Sequence, residues 1–313
     1  MISDHQGTPP LSAKRPPILR WVGTLLALGL LVYLLSREGW REIGTALQQI
    51  ALWRFTLALL LVMVSRLAVA GRWHVLMRWA GTGITVRQSL GITFAGLFAS
   101  NFLPTTIGGD VVRLAGAIRL GFDKAVSVAS LVVDRLVGMA GMAVTLPFAL
   151  PAWINSDYAQ PSGFSSPALA VPWLGKIQDK LRGALKSLLD VLGIWLHKPR
   201  SLLEALGCTW VHMLCTFAQV WLLLGGMGEQ VSFWLIAGLW AATYFVTLLP
   251  ISINGMGVQE LSMAFFFTTF AGVSQSSGLT LALLMRALQM LASLPGALTI
   301  PGLLEGRKSS KVS

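Results

Sequence analysis

Charged residues are scarce in this sequence of 313 residues: Lys, Arg, Asp and Glu together make up 12%, against roughly 25% in an ordinary soluble domain. Hydrophobic residues make up 54%. A soluble globule of this length needs more polar surface than 24 basic and 13 acidic residues supply. The composition therefore excludes a cytosolic enzyme, a disulfide-rich secreted domain and a disordered chain, and it predicts a membrane protein with several spans.

Cysteine is also rare, and the signatures of common catalytic and metal sites are absent from the sequence. Cys208 and Cys215 lie seven residues apart on an apolar stretch, so they share a helix face without reaching each other. The four histidines form no cluster along the chain, and no HExxH, CxxC, GxSxG or phosphate-loop motif occurs. We therefore predict no disulfide, no metal site and no cofactor, and we expect that the protein is not an enzyme.

The formal net charge is +11, a balance that would suggest a nucleic-acid partner in a soluble protein. Here the basic residues stand mostly at the ends of apolar stretches, as do Arg20, Arg72, Arg78 and Arg307. This distribution orients membrane proteins and attracts anionic lipid headgroups. We predict that these charges meet a membrane surface and no nucleic acid.

Apolar stretches of about the length of a membrane-spanning helix occur six times. They cover residues 18–36, 52–76, 124–150, 202–224, 231–249 and 277–304. Two further apolar segments, 88–120 and 250–270, are interrupted by proline and glycine and are typical of re-entrant segments. The predicted fold class is therefore all-α, a polytopic membrane protein with about six full spans and two broken segments, or about eight membrane segments.

We predict one membrane domain over residues 18–304. Residues 1–17 are polar, contain four prolines and are expected to form a disordered cytoplasmic tail, while residues 305–313 form a basic tail. Within the domain, residues 176–200 carry apolar positions at helical spacing with Lys and Arg opposite. This pattern predicts an amphipathic helix on the membrane surface.

The two interrupted segments are alike. Residues 98–109 (FASNFLPTTIGG) align with residues 244–255 (YFVTLLPISING) at a constant offset of 146, so each carries a Leu-Pro pair and ends in glycine. After an insertion of five residues the following apolar helices align as well, which places Arg135 on Arg286. Such a weak repeat, with a broken apolar segment in each half, is typical of a transporter whose substrate site lies at the breaks. The alternative is two ordinary kinked helices.

Several charges lie inside the apolar spans. Asp134, Arg135 and Arg286 do so, and we expect the same of Arg66. Each costs roughly 2.5–3.5 kcal/mol at a helix centre, so each should face a partner or water. Asp134 and Arg135 point about 100° apart around their helix and cannot neutralise each other well. We predict one cluster around the two breaks, made of Asp110, Arg113, Asp134, Arg135, Glu260 and Arg286. The alternative is a set of ion pairs that only hold helices together.

The predicted headgroup site is a cavity lined by the two broken segments. The arginines of the cluster would neutralise a phosphate, and the carboxylates would hold these arginines or bind a cationic part of the headgroup. The glycines would offer backbone N–H groups, because the N-terminus of the helix that follows them suits an anion. The candidate binding residues are Asn101, Pro104, Gly108, Gly109, Asp110, Arg113, Asp134, Arg135, Pro250, Asn254, Gly255, Gly257, Glu260 and Arg286.

Three motifs together resemble a known family. They read Phe102-Leu103-Pro104 through Gly108-Gly109-Asp110-x-x-Arg113, then Ser130-x-x-x-Asp134-Arg135, then Leu249-Pro250-x-Ser252-x-x-Gly255-x-Gly257-x-x-Glu260. As a set they are similar to the lysylphosphatidylglycerol synthase transmembrane region, also called the flippase-like family. The resemblance covers the chain from about residue 18 to residue 304.

In multidomain members of that family, this membrane region is joined to a cytosolic aminoacyl-transferase domain and is thought to move aminoacylated phospholipid between leaflets. This sequence ends nine residues after Leu304, so we expect no synthase domain. The resemblance therefore implies handling of lipid or polyprenyl lipid without lysyl transfer. Asn254 aligns with Gly108, so the second motif has asparagine where the first has a glycine of the Gly108-Gly109 pair, and the Asn254 amide is a candidate for binding the headgroup.

We therefore expect a protein of the cell inner membrane or plasma membrane that binds an anionic phospholipid or polyprenyl-phosphate-linked lipid and moves it across the bilayer. Two other classes stay open. One is a membrane scaffold that recruits a glycosyltransferase or lipid-modifying enzyme through the basic helix at 176–200. The other is a membrane transferase for polyprenyl-linked sugars, which would need a carboxylate that reaches a water-facing loop.

Basic residues in both tails predict that the N- and C-termini are cytoplasmic, which requires an even number of crossings. Six spans meet this requirement, and three crossings between the two Leu-Pro breaks would make the repeats inverted. The same topology places the basic helix at 176–200 outside, against the positive-inside tendency, so its side stays open. The sequence predicts no oligomeric state.

Overall fold

The computed structural model describes residues 48, 50–101, 108–154, 195, 198–248 and 257–299. Within these ranges all regular structure is helical, and eight helices follow one another without a strand. They are α1 (Leu52–Trp79), α2 (Val86–Ser100), α3 (Gly108–Arg119), α4 (Lys124–Thr145), α5 (Pro199–Gly226), α6 (Phe233–Thr247), α7 (Val258–Ala271) and α8 (Gln275–Ser293). A 3₁₀ turn and one further helical turn extend α4 to Ile154.

Four helical stretches are long and apolar enough to cross a bilayer. They are Leu52–Trp79, Lys124–Ile154, Pro199–Gly226 and Gln275–Thr299. The prediction of an all-helical fold is therefore confirmed for the described residues, and four of the predicted spans have the length and composition needed to cross a bilayer. The span predicted at 231–249 is shorter than expected, because α6 has 15 residues and reaches only about 22 Å at 1.5 Å per residue.

Several predictions fall on other parts of the chain. The span at 18–36, both predicted tails and nearly all of the surface helix at 176–200 lie outside the described residues. The last two residues of that surface helix belong instead to α5, which begins at Pro199. Proline is favoured at the first position of a helix, since its missing N–H would have no intrahelical partner there.

Local sequence sets the helix ends. The Thr85 side chain accepts from the N–H of Gln88, whose side chain accepts from the N–H of Thr85, so a capping box begins α2. Asp123 caps α4, and Gly257 begins α7 with a φ of 76° that favours glycine. α2 and α6 end shortly before the two Leu-Pro pairs, as predicted from the sequence.

The centre of the bundle is the contact between α1 and α5, which is the most extensive in the described chain. α2 packs on α3 and α6 packs on α7, while α4 contacts α5 and α6, and α8 contacts α1 and α2. One apolar face of α1, made of Leu57, Leu60, Val64 and Leu67, stays exposed. Its spacing of three and four residues is that of one helix face, and we assign this face to the lipid.

α2 and α3 cross at glycine. A Cβ atom on Gly96 would lie 2.7 Å from the carbonyl oxygen of Gly109 and 2.8 Å from Cγ of Arg113. Small residues at such crossings allow membrane helices to approach closely. This crossing holds the start of α3, and with it Asp110 and Arg113, against the bundle.

We predict that Gly96→Ala lowers the free energy of unfolding by about 1–3 kcal/mol, because the added methyl group overpacks the crossing. The measurement is thermal unfolding of the protein in detergent. Gly207→Ala is the matched control, since Gly207 also lies inside a helix and a Cβ atom added there would meet no other described element within 4 Å. An equal effect of the two substitutions would contradict the role of the crossing.

Candidate functional site

Asp134 is the carboxylate at the centre of the described charges. It lies in α4 and only 2% of it is exposed. Its Oδ1 accepts from Nε of Arg72 at 2.6 Å, and its Oδ2 accepts from Nη1 of Arg113 at 3.0 Å. Both oxygens are therefore bound by arginines from other helices, which joins α1, α3 and α4 through one buried group.

A second carboxylate extends this group. Arg113 Nη1 also donates to Oδ1 of Asp110 at 3.2 Å, and Nε of Arg135 donates to the other oxygen of Asp110. Arg113 thus bridges the two aspartates. We call these five residues the first charge group: Arg72, Asp110, Arg113, Asp134 and Arg135. Four of the five were predicted to lie together, and the structure brings them together.

Arg72 is the member that the sequence analysis missed. It was assigned to the basic flank of the second span, yet it is buried in α1. Its Nη1 donates to Oγ1 of Thr209 in α5 at 3.3 Å. A signal for this role was present, because Arg72 lies six residues beyond Arg66 in a helix that continues to Trp79.

Polar and aromatic neighbours hold the first charge group in place. The guanidinium of Arg113 lies over the ring of Trp73, 4.8 Å from its centroid, a cation–π contact that favours a cation in an apolar setting. The indole N–H of Trp73 donates to Oγ of Ser130 at 3.1 Å. These contacts fix the direction from which Arg113 reaches Asp134.

Glu260 and Arg286 form a second charge group. Nε of Arg286 donates to Oε1 of Glu260 at 2.5 Å, and the N–H of Gly257 donates to Oε2 at 2.8 Å. No described ion pair joins this pair to the first charge group. The single cluster of six residues that the sequence predicted is therefore two groups, one on α1, α3 and α4 and the other on α7 and α8.

The remaining candidate residues have separate positions. The Asn101 amide donates to Oγ of Ser293 in α8 at 2.8 Å, and Gly109 packs against Gly96. Gly108 is buried, and the N–H of Gly257 is engaged by Glu260. Four candidates lie outside the described residues, namely Pro104, Pro250, Asn254 and Gly255. The use of glycine N–H groups to bind a headgroup stays a prediction.

A cavity of about 180 Å³, lined mostly by polar residues, lies inside the bundle. Its wall draws on six helices, which is why no local sequence pattern indicated it. The described lining residues are Val62, Ser65, Arg66, Met142, His212, Thr216, Gln219, Trp240, Thr243, Tyr244, Thr247, Gln259 and Gln289. We call this space the central cavity.

The position of the central cavity follows from its neighbours. Tyr244 on its wall is close enough to Arg135 and Arg72 for their charges to act on it. Arg66, which also lines the cavity, is close enough to Arg286 for the two like charges to interact. Thr247 and Gln259 line it from just before and just after the second interrupted segment. The cavity therefore adjoins the described ends of that segment.

An apolar groove of about 290 Å³ lies between α3 and α4. Val111, Leu114 and Leu131 line it, and Asp110 and Arg135 lie in the same wall. An apolar surface next to a charged pair has the chemistry that an amphiphile requires. Across all the described ranges, no group of three or more His, Cys, Asp and Glu side chains has a geometry that could hold a metal ion.

A comparison with protein families gives one match: the model of the lysylphosphatidylglycerol synthase TM region matches residues 20–296. The chain belongs to this family. The match includes all eight helices, both charge groups and the central cavity, and it confirms the resemblance predicted from the sequence motifs. The family is that of a membrane region associated with lipid-related processes. A comparison with curated proteins gives no match.

We predict that Asp134→Asn lowers the free energy of unfolding of the protein by about 3–5 kcal/mol, because Arg72 and Arg113 lose a buried countercharge. The measurement is the thermal unfolding midpoint in detergent. The matched control is Glu204→Gln, an exposed carboxylate that accepts from the indole N–H of Trp79 and can still accept as an amide. A loss no larger than that of the control would contradict the role assigned to Asp134.

Proposed function

We propose that this chain binds an anionic phospholipid or a polyprenyl-phosphate-linked lipid and moves it across the bilayer. The observation that carries the proposal is the central cavity, a polar space inside a bundle of membrane helices, with Arg66 on its wall and the Glu260–Arg286 pair beside it. Polar and ionisable groups at such depth mark substrate pathways more often than they mark packing.

An internal repeat supports the proposal. α1 with α5 is a contact between corresponding helices of the two proposed halves. Three further helix contacts have a counterpart: α2–α3 with α6–α7, α4–α5 with α8–α1, and α4–α6 with α8–α2. This pattern is the one expected for two related halves that pack around a pseudo-two-fold axis. Transporters built from such repeats place the substrate between the halves.

The charge groups follow the same relation. Asp110 is the third residue of α3, and Glu260 is the third residue of α7. Each accepts from Nε of an arginine on the next helix, Arg135 in the first half and Arg286 in the second. These two arginines are the ones that the sequence alignment of the halves pairs. We therefore propose that the two pairs have equivalent roles in holding the helices that follow the breaks.

The proposed path separates the two parts of a lipid. The headgroup enters the central cavity, where hydroxyl, amide and guanidinium groups replace its water. An acyl or isoprenoid chain stays at the apolar groove between α3 and α4 or in the surrounding lipid. Movement then requires the two halves to rock against each other about the contact of α1 with α5, as in other repeat-built transporters.

The proposal includes no catalytic step. Asp110, Asp134 and Glu260 are all bound by arginines, so a general base or nucleophile would first have to lose its partner. The scaffold alternative depends on the basic helix predicted at 176–200, nearly all of which lies outside the described residues. We further propose the cell inner or plasma membrane as the location, with both termini cytoplasmic.

The test is lipid movement in proteoliposomes that hold tail-labelled phosphatidylglycerol or polyprenyl phosphate. An impermeant reductant bleaches the label in the outer leaflet, and further bleaching reports movement from the inner leaflet. We expect the protein to accelerate this movement over protein-free vesicles. Vesicles with folded protein in which neither lipid moves faster would contradict the proposal.

We predict that the double variant Glu260→Gln with Arg286→Gln slows this movement at least about tenfold, since charge-assisted bonds of roughly 1.5–3 kcal/mol are lost beside the cavity. Removing both charges together avoids leaving one of them unpaired. The matched control is Glu204→Gln with Arg78→Gln, which removes two exposed charges at helix ends. A variant that folds and moves lipid at the wild-type rate would show that this pair is only structural.

A further inference from the structure

Arg66 differs from the other described intramembrane arginines. It lies midway along α1, and no described carboxylate forms an ion pair with it. Arg72, Arg113, Arg135 and Arg286 all have carboxylate partners. Arg66 is half-buried and its Nε is fully buried. A guanidinium in such a setting without a countercharge is unfavourable, so its presence here requires a ligand or water.

The unsatisfied polar atoms around the central cavity are all donors. Nε of Arg66 and Nε2 of Gln219 are buried without a hydrogen-bond partner, and both residues line the cavity. Nη2 of Arg286 beside it is in the same state. Three unpaired N–H groups with no unpaired carboxylate among the described neighbours require an acceptor, and a group with several acceptor oxygens satisfies them best.

The charges lead to the same class of ligand. Arg66 and Arg286 bring two positive charges to the cavity. Glu260 neutralises Arg286, so the positive charge of Arg66 remains without a countercharge. Nδ1 of His212 adds no free donor, because it already forms a hydrogen bond of 2.6 Å with Oγ of Ser65. The volume of about 180 Å³ is that of several water molecules at roughly 30 Å³ each, which is enough for a small oxyanion.

We propose that Arg66 and Gln219 bind one phosphate oxyanion in the central cavity, carried there as the phosphodiester of a lipid headgroup. Arg66 supplies the charge and its unpaired Nε–H, and Gln219 supplies an amide N–H. The hydroxyls of Thr216 and Thr243 in the same wall already donate to the carbonyl oxygens of His212 and Leu239. This inference rests on the proposed function and moves its phosphate site: Arg113 and Arg135, predicted from sequence to neutralise phosphate, serve Asp110 and Asp134 instead.

The test is a binding measurement by calorimetry on the purified protein in an uncharged detergent. The probes are dihexanoyl phosphatidylglycerol, inorganic phosphate and the uncharged dihexanoylglycerol. We expect saturable binding of phosphatidylglycerol and none of dihexanoylglycerol. Binding of inorganic phosphate at least as tight as that of phosphatidylglycerol would identify the free oxyanion as the ligand and overturn the lipid source, whereas clearly tighter binding of the lipid supports it.

Arg66→Gln should weaken binding of phosphatidylglycerol at least about tenfold, and Arg66→Lys, which keeps the charge, should retain part of it. Arg78→Gln is the matched control, because Arg78 is exposed at the end of the same helix. Without ligand, Arg66→Gln should unfold at the wild-type temperature or higher, since it removes an unpaired buried charge. A structural role would instead lower that temperature.

Unchanged affinity in folded Arg66→Gln, or equal binding of dihexanoylglycerol, would overturn the inference. If that variant does not fold, Gln219→Ala replaces it, with the same expected loss of affinity. The binding experiment and the transport experiment test separate claims. Binding through Arg66 without lipid movement would overturn the proposed function alone, and movement that survives Arg66→Gln together with unchanged binding would overturn this site alone.

Discussion

The described bundle depends on the neutralisation of Asp134 inside the membrane. A lone carboxylate at this depth is too costly to keep, so its two oxygens bind Arg72 of α1 and Arg113 of α3. α3 is short and begins after an interruption, and it has few residues with which to pack. The glycine crossing of α2 with α3 and the bonds of Arg113 give it a defined place. The position of Asp110, and through it Arg135, then follows.

The two halves of the proposed repeat differ in the polar residues at equivalent positions of α1 and α5. α1 meets α5 where Ser65 contacts His212, and these residues are 147 positions apart. The same offset relates Arg72 to Gln219 in the repeat that we propose. Arg72 forms an ion pair with Asp134, whereas the amide nitrogen of Gln219 lies at the central cavity without a hydrogen-bond partner. At this pair of positions the first half of the proposed repeat thus holds an ion pair, and the second half contributes an unpaired amide to the cavity.

Much of the site could be predicted from residue types and spacing. The cost of a charge in an apolar span singled out Asp134, Arg135 and Arg286, and the proline and glycine pattern placed the breaks where α2 and α6 end. The split of the predicted cluster into two groups could not be predicted in this way. Which arginine reaches which carboxylate depends on helix rotation and on crossings such as that at Gly96, and neither is a local property of the sequence.

The class of the molecule follows from its residues: the scarcity of charge, the long apolar runs and the motifs indicate a helical membrane protein of the lysylphosphatidylglycerol synthase TM region family. The pairing of Arg72 with Asp134 and the position of Arg66 on the wall of the central cavity became known from the packed helices. The physical reason is that burial cost acts on each residue separately and is visible in a list of residues. Pairing instead requires two helices to bring their side chains within about 3 Å, which only packing fixes.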